Sequence, residues 1–125
     1  MKKFLFLVDD DPDEFFFFRE AIAEINPDYE CFTCSDGQEA LQQLIQEKIK
    51  PNFIFLDLMM PRMDGKDFLR QIKKIPRLSQ IPVIIYTDSK YRNDIEESLK
   101  LGAFSVVIKP FGIDGIVASI KKIIE

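Results

Sequence analysis

Histidine is absent from all 125 residues, and that absence removes Ser-His-Asp and Cys-His catalysis and every metal site built on imidazole. Chemistry on this chain runs on carboxylates, hydroxyls and amines. No stretch approaches the ~20 apolar residues of a membrane span. The opening MKKFLFLV has the lysines and apolar run of a secretory leader, but the run stops at Asp9, too short for an h-region and without a small-residue cleavage site. A cytoplasmic protein without a membrane partner is the expectation. Basic excess is missing too: 17 Lys and Arg face 21 Asp and Glu, for a net charge of −4. Nucleic-acid binding, which draws its affinity from a basic surface, is not expected. Cysteine is scarce, with Cys31 and Cys34 forming the one C-x-x-C. That motif lies in ECFTC, which reads as a strand, where residues three apart point to opposite faces. Two buried thiols are expected there, not a redox or metal pair.

What is present is patterned. A 46% hydrophobic content over 125 residues fits one domain with a full core. Four continuous apolar runs, Phe4 to Val8, Phe53 to Leu56, Val83 to Tyr86 and Ser105 to Ile108, read as strands buried on both faces of a parallel sheet. A weaker run, Tyr29 to Cys34, suits an edge. Between the runs, apolar residues recur at helical spacing: Phe15, Phe18, Ile22 and Ile25; Leu41, Leu44 and Ile45; Phe68, Leu69 and Ile72; Ile95 and Leu99; Ile113, Ile116, Val117, Ile120 and Ile123. Asp11-Pro12-Asp13-Glu14 and Asp36-Gly37-Gln38-Glu39 carry helix-start signals, each an acidic cap with Glu three residues on. Strand and helix alternate five times, which predicts an α/β domain with an open, doubly wound, five-stranded parallel sheet.

In such sheets ligands bind beyond the carboxyl ends of the strands. The residues found there are Asp9, Asp10 and Asp11 after the first run, Asp57 after the third, Thr87 after the fourth and Lys109 after the fifth. Each alone has an ordinary reading: an Asp after a strand is commonly a cap or turn residue, as Asp11 is expected to be, and Thr87 a turn hydroxyl. Together they converge on one rim. The stretch FLVDDDPDE concentrates negative charge where like charges a few Å apart repel by roughly 4 kcal/mol at an effective dielectric of 20. A divalent cation would offset that repulsion, and hard oxygen ligands without nitrogen or sulfur select Mg²⁺. An ionised Asp at the centre could then attack phosphorus, while Lys109 and the cation take up charge on the equatorial oxygens.

VDDDPDE, IFLDLMMPRMDG, PVIIYTDSK and VVIKPF, in this order and spacing across essentially the whole chain, resemble the receiver domain of two-component response regulators. The resemblance implies a flavodoxin-like (βα)5 fold with strand order 2-1-3-4-5, and a single receiver domain over residues 1–125 with no output domain. It implies that Asp57 is the phospho-acceptor. Asp10 and Asp57 would coordinate Mg²⁺ with the Met59 carbonyl, and Asp9 would assist through water. Thr87 would close on the phosphoryl group and Lys109 would pair with it. A cis Lys109-Pro110 bond is a further expectation, against roughly 5–6% of X-Pro bonds in general. The position that commonly carries an aromatic switch residue is Val106, with Phe104 nearby as the candidate substitute, and Asp88 places an extra charge after Thr87.

The implied partners are a histidine kinase or histidine phosphotransfer protein as donor, and a target bound by the fourth helix, fifth strand and fifth helix. Of the four consecutive phenylalanines, Phe15 and Phe18 suit the core, while Phe16 or Phe17 should face outward, either at the margin of an apolar face or as a docking surface for the donor. The implied role is regulatory, with catalysis limited to the chain's own phosphorylation and dephosphorylation. A Mg²⁺-dependent phosphohydrolase is a competing reading, disfavoured because Asp57-Leu58-Met59 has no second acid to serve as general acid. A nucleotide or flavin binder is disfavoured by a first strand-to-helix turn of aspartates without glycine. A degenerate scaffold is disfavoured by the intact Asp57, Thr87 and Lys109.

Overall fold

The apolar runs become β1 (Phe4–Val8), β3 (Phe53–Leu56), β4 (Val83–Thr87) and β5 (Ser105–Ile108), and the mixed run becomes β2 (Glu30–Cys34). They form one parallel sheet in the order β2-β1-β3-β4-β5 in the computed structural model, which describes residues 2–125. The helices are α1 (Pro12–Ile25), α2 (Gly37–Ile45), α3 (Gly65–Lys73), α4 (Pro76–Ser79), α5 (Arg92–Lys100) and α6 (Gly112–Ile124). Five were expected. The extra one, α4, is a single turn in which Pro76 takes the favoured first position and Leu78 is buried. None of the helices among the described residues is long and apolar enough to cross a membrane.

The pleat divides the core in two. Leu5, Leu7, Phe55, Ile84 and Tyr86 face α1 and α6, while Phe6, Val8, Ile54, Leu56, Val83 and Ile85 face α2, α3 and α4. On the first side the Phe18 ring meets Phe55 at 5.0 Å and Tyr86 at 5.5 Å, both edge to face. Burying one such ring contributes about 1.5–3 kcal/mol. Cys31 and Cys34 fall on opposite faces of β2, both as free thiols; Cys34 is buried and Cys31 partly so. Burial pushes the Cys31 thiol up to about 12, which makes it a weak nucleophile.

Several expectations change. β5 is only half-buried along its length, because it is the second edge of the sheet. Ile45 and Leu99, expected on buried helical faces, are 44% and 47% exposed. In α5 the buried residue is Ser98, whose hydroxyl donates to the Asp94 carbonyl at 2.7 Å and so needs no outside partner. Phe18 is buried and Phe15 packs beside it, whereas Phe16 and Phe17 are 60% and 43% exposed, as one helical stripe requires. Among the described residues no peptide bond is cis, so the cis Lys109-Pro110 expectation is not met. The trans form is the favoured isomer of an X-Pro bond by about 0.5–1 kcal/mol.

Candidate functional site

Strand register places the acidic residues. Val8 pairs with Leu56, and the Asp57 amide donates to the Val8 carbonyl at 3.0 Å, so Asp9 and Asp57 leave the sheet side by side. Thr87 pairs with Ile108, and the Lys109 amide donates to the Thr87 carbonyl at 2.8 Å. Asp9, Asp10, Asp57, Thr87 and Lys109 therefore share one rim, as expected.

Lys109 lies at its centre with only 6% of its side chain exposed. Its ammonium is 2.8 Å from Asp9 Oδ2, 3.3 Å from Asp57 Oδ2 and 4.0 Å from Glu14 Oε1, and lies over the Tyr86 ring at 6.0 Å from its centre. The contact with Asp9 Oδ2 is an ion pair outside good hydrogen-bond alignment. Asp9 Oδ1 accepts from the Asp11 amide at 3.0 Å, and Asp57 Oδ1 from the Met59 amide at 3.3 Å. Thr87 is buried and its Oγ1 accepts from the Ser89 amide at 3.2 Å.

The two members of the Asp9–Lys109 pair respond differently to burial. Asp9 is fully buried, and its desolvation, with repulsion from Asp57, outweighs Lys109 and the Asp11 amide. Its pKa rises from 3.8 to about 6. For Lys109 burial works the other way, but Asp9, Asp57 and Glu14 together overcome it and hold the pKa above its ordinary value. The fully buried Asp9 also faces the carboxylate of Asp57, so Lys109 does not fully offset its burial. Burial also raises Glu14.

A stability prediction follows from Asp9. Between about pH 4 and pH 6 the folded chain keeps a proton that the unfolded chain has lost, so stability falls as pH rises through that window, by about 3 kcal/mol in all. In chelator, Asp9→Asn is expected to be more stable than the wild type at pH 7.5 by roughly 1–3 kcal/mol, with the difference closing toward pH 4. Urea midpoints at both pH values measure it; a less stable variant at pH 7.5 would refute the assignment.

Oxygen atoms of Asp9, Asp10 and Asp57 lie within 4.8 Å of one another. An all-carboxylate set suits a hard divalent cation, and Asp10, which is exposed, leaves room for water ligands. The residues present fit such an ion. Beside them opens a cleft of about 480 Å³ whose lining includes Asp10, Met59, Asp64, Lys66 and Asp94. Gly65 packs against the backbone that follows β3: a Cβ there would sit 2.3 Å from the Asp57 carbonyl oxygen and 2.7 Å from Leu58 Cα. Only glycine lets α3 start this close to the acid-bearing loop.

The other rim residues have structural duties. Asp11 caps α1 by accepting from the Asp13 amide, and Asp36 caps α2 by accepting from Gln38 and Glu39. Asp36 also meets Arg62 at 2.5 Å. The reciprocal half of the first capping box does not form, since the Asp11 amide goes to Asp9 and leaves Glu14 free to face Lys109. Phe104 lies just outside β5 and is 63% exposed, so it does not take an inward place beside Val106, which packs against the core. Sequence reasoning missed Glu14, Lys66 and Asp94 as neighbours of the site. Only the capping pattern touched Glu14, and nothing local marked the other two.

A doubly wound parallel sheet whose carboxyl rim gathers buried acids around one lysine defines an α/β domain of the flavodoxin-like class. Residues 5–121 match the family model of the response regulator receiver domain, and the chain belongs to that family, whose members act in phosphorylation-dependent signalling of bacterial two-component systems. It is 33% identical over 104 residues to response regulator Rcp1 of Synechocystis sp., covering 79% of this chain and 71% of that protein. It is 37% identical over 94 residues to sporulation initiation phosphotransferase F of Bacillus subtilis, covering 75% and 73%. Other curated relatives are longer, and the chain spans 21 to 49% of the length of six of them. The fold superposes on the phosphorylated cyanobacterial phytochrome response regulator RcpA with a TM-score of 0.87 and 31% identity, covering 98% of this chain and 91% of that one. The Mn²⁺-bound form of Rcp1 gives a TM-score of 0.83 at 29% identity, covering 97% and 91%.

Proposed function

We propose that this chain is a signalling switch that accepts a phosphoryl group on Asp57 from a histidine kinase or histidine phosphotransfer protein, works in the cytoplasm, and signals by altered protein binding or by passing the group on. The observation that carries this reading is the nearly buried Lys109 ammonium set between Asp9 and Asp57. An Asp57 oxygen attacks phosphorus in line as the bond to the donor nitrogen breaks. Lys109, already 3.3 Å from Asp57, follows the charge onto the phosphoryl oxygens, and Thr87 offers them its hydroxyl. Asp10, Asp57 and the Met59 carbonyl would hold Mg²⁺, with Asp9 acting through water; when bound, the ion offsets the acids and neutralises phosphoryl charge. The Mn²⁺-bound Rcp1 supports a divalent site in this family, and the phosphorylated RcpA supports the transfer. The chain's own catalysis ends with gaining and losing this group.

Intact mass after incubation with acetyl phosphate tests the reading. One acid-stable, base-labile phosphoryl group that forms only with Mg²⁺ is expected. No adduct on the folded protein would sink it.

The donor is proposed to dock on α1, where the exposed Phe16 and Phe17 pack edge to face at 5.5 Å beside the acidic rim. Phe16→Ala and Phe17→Ala are expected to slow transfer from the protein donor while leaving acetyl phosphate labelling unchanged. Equal rates with the protein donor would remove the docking role. The output face is proposed to be α5, β5 and α6, the fourth helix, fifth strand and fifth helix of the five-repeat count, where Leu99 and Phe104 are exposed.

A further inference from the structure

Glu14 is the acid at the rim whose placement neither helix nor sheet requires. A first-turn acid of α1 favours the helix dipole from solvent, as the exposed Asp13 beside it does. Glu14 instead turns inward. The Asp11 amide that a capping box would offer it goes to Asp9, and its side chain, only 23% exposed, faces Lys109. Its Oε1 stands 4.0 Å from the ammonium, an ion-pair distance too long for a hydrogen bond. Burial raises its pKa in spite of Lys109, so the carboxylate is held there against its own solvation. Asp57 reaches the same ammonium at 3.3 Å, so a phosphoryl group carried by Asp57 would share Lys109 with Glu14. The buried Tyr86 ring under that ammonium excludes water that would screen them.

We propose that Glu14 is a specificity-determining residue that disfavours small, doubly charged phosphodonors, by setting a fixed negative charge beside the ammonium that receives the incoming phosphoryl oxygens. The inference rests on the reading of Asp57 as the acceptor. Charge at the rim supports it. Four acids, Asp9, Asp10, Asp57 and Glu14, border one lysine. With a divalent cation in the proposed site and all four ionised, one negative charge is left over; without Glu14 there is none. A free donor meets that surplus in proportion to its own charge. Acetyl phosphate is a dianion near neutral pH, whereas phosphoramidate, protonated on nitrogen, is a monoanion. In each case the bond from an Asp57 oxygen to phosphorus forms as the leaving group departs, acetate from one and ammonia from the other. The two reactions share acceptor, ion and lysine and differ in donor charge. A protein donor fastened to α1 by its own contacts offsets the same repulsion through docking.

Second-order labelling rates with acetyl phosphate and with phosphoramidate, at saturating Mg²⁺ and followed by intact mass, test this on the wild type, Glu14→Gln, Glu14→Asp and Asp13→Asn. Glutamine keeps the shape, and a 4.0 Å contact leaves no hydrogen bond to break. Glu14→Gln is expected to speed acetyl phosphate labelling more than phosphoramidate labelling. The ratio of the two rates should rise about fivefold, the effect of a unit charge ~7 Å away at a dielectric between those of the protein surface and water. That gain should shrink at about 1 M salt. Glu14→Asp, which keeps the charge, should stay near the wild-type ratio. An unchanged ratio in labelled Glu14→Gln would overturn the inference and leave the acceptor reading intact. So would a gain that survives salt in full, or an equal gain in Asp13→Asn, which would assign the effect to net charge and not to the place beside Lys109. A wild type that takes no label from either donor would overturn both.

Discussion

Replacing Asp57 with asparagine is expected to abolish the Mg²⁺-dependent phosphoryl adduct while leaving the fold in place. In the proposed transfer the attacking atom is a carboxylate oxygen, and an amide oxygen is a far weaker nucleophile toward phosphorus. Asparagine also cannot serve as an anionic ligand, so a divalent cation at the proposed site would lose one of the three acids gathered within 4.8 Å. The fold survives because the 2.8 Å contact between Lys109 and Asp9 does not involve residue 57. Asp57 raises the Asp9 pKa by repulsion, so its neutralisation also relieves part of the burial cost of Asp9. The variant should therefore be at least as stable as the wild type in chelator. Mass spectrometry with peptide mapping decides the matter: an adduct that persists in Asp57→Asn and maps to Asp10 would assign the acceptor to the exposed acid.

Much of this site could be read from the chain because each of its residues directly follows, or ends, an apolar run. A parallel sheet turns that linear coincidence into proximity: Val8 beside Leu56, Leu56 beside Ile85 and Thr87 beside Ile108 bring Asp9, Asp57 and Lys109 together. Residues positioned from helices were harder to see. Lys66 and Asp94 meet across α3 and α5, 28 positions apart, and both look locally like solvated helix charges. Ser98 replaced Leu99 on the buried side of α5 because a small hydroxyl can satisfy itself on the Asp94 carbonyl, which no count of apolar residues anticipates. The one-turn α4 did leave a signal, Pro76 at a first helical position, but a proline between two elements reads equally well as a separator.

Lys109→Met is expected to carry the largest stability cost of any substitution at the rim. Methionine nearly fills the space, so the loss is one of charge. Asp9 and Asp57, fully and almost fully buried, are left facing each other without the ammonium that lies 2.8 and 3.3 Å away. Removing one partner of such a buried cluster typically costs about 3–5 kcal/mol. The cost depends on pH, and its sign is fixed by Asp9. Lys109 lowers the pKa of both Asp9 and Glu14, so its removal lets these acids keep protons in the folded state to higher pH. The unfolded chain has released those protons by about pH 5, so the variant loses stability relative to the wild type as pH rises from about 5 to about 8. Denaturant midpoints at the two ends should diverge accordingly, and an equal cost at both would mean that the cluster is not the source of the loss. Phosphoryl uptake separates function from folding: at a pH and temperature where the variant remains folded, the adduct should still form poorly, because no cation of the protein remains to follow charge onto the transferring oxygens. Lys109→Arg keeps the charge but not the fit, since a side chain only 6% exposed has no room for a planar guanidinium. It is expected to recover stability at pH 8 better than it recovers phosphoryl transfer, which would show that the rim needs the ammonium's position as well as its charge.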